Sequence, residues 1–112
     1  MESPNIARNE SPESVAQARK RVRLESLDAV RAELKSTAAV ESADRFAEVF
    51  AQAREVLEID DATLARELRI SRPTVGRWAR GTSAPHPLGR GPALELLLRH
   101  AESKLRRLRA TG

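Results

Sequence analysis

The stretch LARELRISRPTVGRWARG, residues 64–81, decides the fold. Its apolar residues recur at helical spacing from Leu64 onward, which predicts a short amphipathic helix. A second helix follows almost at once, because Ser71 can cap it and Pro73 is tolerated in a first helical turn. Gly81 predicts where this second helix ends. The stretch therefore predicts two short helices joined by a turn of about three or four residues.

This arrangement is that of a helix-turn-helix, whose second helix carries exposed basic and hydroxyl side chains. Ala65 is expected where the two helices cross, because a larger side chain would push them apart. The shared apolar core of the unit is expected to consist of Leu64, Leu68, Ile70, Val75 and Trp78. The opposite, solvent-facing side then carries Ser71, Arg72, Thr74, Gly76, Arg77 and Arg80.

Three further amphipathic helices are predicted from apolar residues that recur at helical spacing. The first begins at about Arg21 and contains Leu24, Leu27, Val30 and Leu34. The second is capped by Ser42 or Asp44 and contains Phe46, Val49, Phe50, Ala53 and Leu57. The last begins near Pro92 or Ala93 and contains Leu94, Leu97, Leu98, Ala101, Leu105 and Leu108. No stretch predicts a strand, so we expect an all-α fold.

The chain divides into three parts. Residues 1–20 contain prolines and polar residues and little that is apolar, which predicts a disordered N-terminal tail. Residues 21–41 are expected to form an N-terminal helix and a connector. Residues 42–112 are expected to form the helix-turn-helix domain, in which Asp60 or Asp61 caps the first helix of the motif and a long C-terminal helix follows. The expected architecture is a small helical bundle that contains a helix-turn-helix, an extra N-terminal helix and a tail.

Charge is unevenly distributed along the chain. There are 20 Lys and Arg against 16 Asp and Glu, which gives a formal net charge of +4. Between Leu68 and Leu94 there is no acidic residue at all. Such a one-signed segment suits a polyanion such as nucleic acid, and a merely solvated arginine-rich surface is the alternative. The arginines of this segment are Arg69, Arg72, Arg77, Arg80 and Arg90.

Catalytic, metal-binding and membrane functions find no support in the sequence. There is no cysteine, which excludes disulfides and thiolate chemistry. His86 and His100 lie apart from any acidic cluster, and the hydroxyl residues lack a neighbouring base. No apolar run approaches the roughly 20 residues that span a bilayer, and the N-terminus lacks an apolar signal-peptide core. We therefore expect a soluble, cytoplasmic protein that is not an enzyme and has no metal or cofactor.

The stretch LARELRISRPTVGRWARG resembles the helix-turn-helix of the phage-repressor-like family, also called the Xre or Cro/CI-type family. The family pattern runs Leu-Ala, an apolar turn residue, Ser, Thr followed by Val or Ile, Arg-Trp and a final Gly. The resemblance is strong over residues 64–81 and moderate from Asp44 to about Leu98. The residues that match the pattern are Leu64, Ala65, Ile70, Ser71, Thr74, Val75, Arg77, Trp78 and Gly81.

The chain also departs from the family pattern. Arg69 stands where the turn usually carries glycine, so we expect either a changed turn or a left-handed conformation at Arg69. Arg72 stands where the recognition helix often begins with glutamine, and Pro73 replaces a small polar residue. After Gly81 a proline-rich loop and one long helix take the place of the family's two further helices.

The resemblance implies binding of double-stranded DNA, with the start of the second helix in the major groove. It also implies that Trp78 packs inward on the scaffold instead of stacking on a base. Arg72 is then the candidate for base reading, because an arginine fork fits the two acceptors of guanine. Arg77 is expected at a base or a phosphate. The remaining candidates for contact with phosphates or base edges are Ser71, Thr74, Gly76 and Arg80, with Arg80 expected at phosphate.

We expect a sequence-specific transcriptional regulator of prokaryotic or phage type that acts at the nucleoid, with repression favoured over activation. A homodimer is expected because one recognition helix reads only a few base pairs. The candidate dimer surfaces are the apolar stripes of the N-terminal helix and the last helix. The alternative is an antitoxin-type interaction module, whose N-terminal region folds onto and neutralises a partner protein while the chain autoregulates its operon.

Overall fold

Six helices joined by short connections make up the described part of the chain. The computed structural model describes residues 13–111. No strand occurs among these residues, so the predicted all-α class is confirmed. In chain order the helices are α1 (Val15–Leu34), α2 (Thr37–Glu41), α3 (Ala43–Leu57), α4 (Asp61–Leu68), α5 (Arg72–Arg80) and α6 (Pro87–Ala110).

The boundaries of α3, α4 and α5 follow from polar caps. Ser42, Asp60 and Ser71 precede these helices, and each side chain accepts a hydrogen bond from the backbone N–H three residues further on. Gly81 ends α5 with a φ of 77°, in the left-handed region that glycine enters without steric cost. These caps are among those predicted from the sequence.

The N-terminal helix begins earlier than predicted. Ser14 and Gln17 form a reciprocal capping box, in which the Gln17 N–H donates to Ser14 Oγ at 3.0 Å and the Ser14 N–H donates to Gln17 Oε1 at 2.9 Å. Residues 15–20 are therefore helical, and the predicted tail of residues 1–20 is too long. The rest of that prediction, residues 1–12, lies outside the described residues.

The last helix also begins earlier than predicted, at Pro87 and not near Pro92 or Ala93. Pro87 occupies the first helical position, where its missing N–H removes no helical hydrogen bond. The His86 side chain caps this end, because His86 Nδ1 accepts a hydrogen bond from the Leu88 N–H at 3.1 Å. Pro92 then lies inside α6 near its start, where it removes one backbone hydrogen bond.

Arg90 of α6 holds both α2 and the loop that precedes α6. Its guanidinium donates to the carbonyl of Val40 at 3.0 Å and to the carbonyl of Pro85 at 3.2 Å. The predicted connector in residues 21–41 thus contains a short helix, α2, that is anchored from the other end of the chain. One of the five arginines of the acid-free segment is therefore a structural residue and does not belong to an exposed cationic surface.

The core lies where α1, α3 and α6 pack together. The apolar stripe of α1 is buried there, as is most of the stripe of α6, both within one chain. The two stripes are therefore not available as the dimer surfaces predicted from the sequence, because each covers the other. The largest buried side chains of the described residues are Leu27, Val30, Phe46, Val49, Phe50, Leu57, Leu64, Val75, Leu94, Leu97 and Leu105.

Trp78 fixes α5 on α3. The indole lies edge-on to both phenylalanine rings of α3, with centroids 5.9 Å from Phe46 and 5.8 Å from Phe50. Val75, one turn earlier on α5, is fully buried. Trp78 itself is half-buried and packs against the core, so the predicted inward orientation is confirmed.

The turn between α4 and α5 depends on a left-handed residue. Arg69 has φ 60° and ψ 46°, and the N–H groups of Arg69 and Ile70 both donate to the carbonyl of Ala65. For a residue with a Cβ this conformation costs about 1 kcal/mol. The left-handed alternative predicted for Arg69 is thus confirmed, and the turn keeps its tight form without the glycine.

Replacing Trp78 by alanine should lower the free energy of unfolding by about 3 kcal/mol, at the low end for a core aromatic because the indole is only partly buried. Chemical denaturation of the variant and the parent measures this difference. Leu88→Ala is the control, since Leu88 is 82% exposed and should contribute little. A Trp78→Ala protein as stable as its parent would contradict the inward packing.

Replacing Arg69 by glycine should raise the free energy of unfolding by about 1 kcal/mol, because glycine reaches positive φ without steric cost. Arg69→Ala is the matched control, since it removes the same side chain but keeps the Cβ. Thermal melting of the two variants and the parent is the measurement. If both variants have the same stability, the turn is not strained at this residue.

Candidate nucleic-acid interface

The solvent face of α5 is cationic and its charges are not neutralised internally. Arg72, Arg77 and Arg80 are exposed. None of them forms an ion pair with a carboxylate in the described part of the chain. On α3, in contrast, Arg54 pairs with Asp61. The fold therefore leaves the guanidinium groups of α5 available to an external anion.

A chain of hydrogen bonds orders the polar side chains at the start of α5. Ser71 Oγ lies 2.7 Å from Thr74 Oγ1 and also accepts the Thr74 N–H at 3.2 Å. Arg77 Nη2 donates to Thr74 Oγ1 at 3.0 Å. The cap of α5 and the exposed Arg77 are thus linked before any ligand arrives.

The carboxylate that caps α4 lies within electrostatic reach of Arg72. Asp60 caps α4, and its carboxylate accepts the Thr63 N–H at 2.7 Å. This hydrogen bond lowers the pKa of Asp60, and the positive charges of Arg66 and Arg72 lower it further. Arg72 therefore lies in the field of one carboxylate, but no ion pair holds it in place.

Gly76 opens a gap in the middle of the face of α5. A Cβ built on Gly76 would come within 4 Å of one side chain only, that of Arg80, with the nearest atom, Nη1, at 3.1 Å. That guanidinium is the far end of a flexible side chain, so it can move aside. The free protein therefore offers no packing reason for a glycine here, although glycine destabilises a helix interior.

The six predicted interface residues fall into three groups on α5 and its cap. Ser71, Thr74 and Arg77 form the hydrogen-bonded chain, Gly76 lies under Arg80, and Arg72 stands alone at the start of the helix. Thr74 and Gly76 are half-buried, whereas the others are exposed. The six residues are Ser71, Arg72, Thr74, Gly76, Arg77 and Arg80.

Sequence reasoning missed a second cationic surface, at the far end of the α1–α6 pair. Arg23 of α1 there lines one cleft together with Lys104 and Arg107 of α6. These residues are about eighty positions apart in the chain. The only signal was a pair of basic runs, one in residues 19–23 and one in residues 104–109, whose proximity requires the antiparallel packing of the two helices.

Within residues 13–111, few side chains are arranged for metal binding or catalysis. No cluster of three or more His, Asp or Glu side chains there is arranged to hold a metal ion. His100 Nε2 lies 2.7 Å from Glu67 Oε1 and joins α6 to α4. None of the helices in this range is both long and apolar enough to cross a membrane.

Comparisons with protein-family models, with curated proteins and with solved structures found no match to this chain. The fold and the interface themselves define an all-helical protein whose helix-turn-helix carries a cationic second helix.

Gly76→Ala should raise the free energy of unfolding by about 0.5–1 kcal/mol, because alanine favours the helix and only Arg80 must move. The same variant should weaken DNA binding if a duplex approaches α5 closely at this position. Gly89→Ala is the matched control, because Gly89 lies inside α6 and its Cβ would make only an ordinary contact, at 3.5 Å from the Cβ of Pro85.

Denaturation and duplex binding are measured on both glycine variants. We expect both to gain stability and only Gly76→Ala to lose affinity. Unchanged affinity of Gly76→Ala would show that no ligand comes close to the middle of α5.

Proposed function

We propose that the chain binds double-stranded DNA in a sequence-specific manner, with α5 in the major groove. The observation that carries this proposal is the face of α5, where Arg72, Arg77 and Arg80 have no carboxylate partner among the described residues. Charges that the fold does not use are available to a polyanion, and duplex DNA presents one phosphate charge about every 1.7 Å along its axis. The resemblance of residues 64–81 to a helix-turn-helix family supports the same conclusion.

The dimensions of α5 suit the major groove. An α-helix with its side chains is about 10–12 Å across, and the major groove, about 12 Å wide, admits it. Arg72 lies at the end of α5 that would enter the groove first, where its fork can pair with the two acceptors of a guanine. Arg80 lies two turns later beside the emerging loop, where phosphate is the nearer target.

The hydrogen-bonded chain at the start of α5 would reduce the entropy lost on binding. Thr74 holds Arg77 near the base edges and phosphates, so fewer rotamers must be ordered when DNA arrives. Gly76 would let the DNA surface approach the helix backbone. Contacts to phosphates, which position the helix, and contacts to bases, which read the sequence, would then come from different residues of α5.

In this proposal the protein is a transcriptional regulator of prokaryotic or phage type that represses by occupying its site. A homodimer would present two copies of α5 to successive half-sites. Since the stripes of α1 and α6 are buried, the dimer contact must use another surface. The open cleft beside the helix-turn-helix, which Leu68, Trp78 and Leu96 line, is the nearest apolar candidate.

The test compares the roles of Arg72 and Arg80 in DNA binding. A duplex that the protein prefers is first selected from a random pool. Arg72→Ala should relax discrimination at one base pair and cost about 1–3 kcal/mol on the selected duplex. Arg80→Ala should weaken all duplexes alike and reduce the slope of log affinity against log salt by about one unit. Binding to the selected duplex and to its single-base variants, at several salt concentrations, gives both quantities.

Arg106→Ala is the control for loss of one positive charge, because Arg106 is exposed on α6 away from α5. It should leave discrimination unchanged. Failure of the random pool to yield any preferred duplex, or equal effects of all three substitutions, would contradict the proposal.

A further inference from the structure

The outer half of α1 extends beyond the bundle. The end of α6 lies beside Arg23 and Leu27, so residues 15–22 continue past it, and none of them is buried. Val15 is 67% exposed and Val22 is 52% exposed. With Ala18 between them, these side chains form an apolar stripe at helical spacing that no other helix of residues 13–111 covers.

This stripe continues into a groove between α1 and α6, which we call the end groove. Its outer section lies on α1 alone, its inner section lies between α1 and α6, and Arg23 lines both. The outer section is lined by Val15, Ala18, Arg19, Val22, Arg23 and Ser26. The inner section is lined by Arg23, Leu27, Lys104, Arg107, Leu108 and Thr111.

The end groove has an apolar floor and cationic edges. No acidic residue lines either section. Arg19, Lys104 and Arg107 have no carboxylate partner in the described part of the chain. Arg23 is anchored at the middle of the groove, where it donates to the Val56 carbonyl and lies 4.0 Å from Glu58. The groove therefore offers apolar contact together with unneutralised positive charge.

We propose that the end groove binds an acidic amphipathic helix of a partner protein. From Val15 to Val22 the exposed floor is about 10 Å long at 1.5 Å per residue, which matches a helix of roughly two turns. Apolar residues at positions i, i+3 or i+4, and i+7 of the partner would meet the floor. Asp and Glu beside them would pair with Arg19, Lys104 and Arg107 on the edges.

Charge and shape favour an acidic helix over a second copy of the chain and over a nucleic acid. Residues 15–23 contain four cations and no acidic residue, so a second copy would set positive charge against positive charge. An apolar floor gains nothing from a nucleic-acid backbone. The proposal goes beyond DNA binding and uses none of the residues of α5.

The test is a selection of helical peptides from a randomised display library against the full chain in the absence of DNA. We expect enriched peptides that combine helical apolar spacing with flanking Asp or Glu. Val22→Glu should weaken their binding roughly tenfold or more, because it places a charge on the floor. Leu88→Glu is the matched control, since Leu88 is an exposed leucine outside the groove.

The charged edge is tested by a second matched pair. Arg107→Glu should weaken the enriched peptides, whereas Arg106→Glu should not, because Arg106 does not line the groove. Thermal melting checks that all four variants are folded, and binding of Val22→Glu to a selected DNA duplex should be unchanged. The peptide result is therefore independent of the result on DNA.

Several outcomes would overturn the proposal. These are the absence of any enriched peptide, enrichment without acidic residues, and equal binding to Val22→Glu and the parent. Sedimentation that shows a dimer lost in Val22→Glu would assign the groove to a second copy. Binding of phosphatidylglycerol vesicles that depends on Val22, without peptide binding, would assign it to a membrane.

Discussion

The edge-to-face contact of Trp78 with Phe46 and Phe50 is the interaction on which the interface depends. These three are all the aromatic residues of the chain, and they lie in one cluster between α3 and α5. Within α5 only Val75 is buried, so without the indole the helix would have one anchor on its scaffold. An isolated helix of nine residues is not stable in water. The cluster therefore makes α5 a helix with a defined pose, and it leaves the arginines on the opposite side.

The sequence was sufficient to predict α3, α4 and α5, because local chemistry determines their boundaries. Ser42, Asp60 and Ser71 each satisfy a free backbone N–H group at a helix start, and Gly81 supplies a left-handed end. The side of α5 that faces solvent was predictable for the same reason. Once the buried face of α5 is known from Val75 and the tryptophan, the helical period assigns the remaining residues to solvent.

The predictions that were wrong concern features set by distant residues or by uncommon helix starts. The sequence predicts a helix start near Pro92 or Ala93, but Pro87 already occupies the first helical position and the helix continues through Pro92. The polar composition of the first twenty residues predicts disorder, although Ser14 and Gln17 form a capping box that starts α1. Burial of the α1 and α6 stripes against each other, and the contact of Arg90 with the Val40 carbonyl, join segments far apart in the chain. Neither a composition nor a periodicity reports such pairings.

The most direct test of this account is a titration of the isotope-labelled chain with a selected DNA duplex, followed by two-dimensional NMR of the backbone amides. If α5 enters the major groove, the largest shift changes should fall on residues 71–81 and on the first turn of α4. The outer half of α1, residues 15–23, should change little. Shift changes concentrated on α1 and on the C-terminal end of α6, with α5 unaffected, would contradict the account and place the nucleic-acid contact at the other end of the molecule.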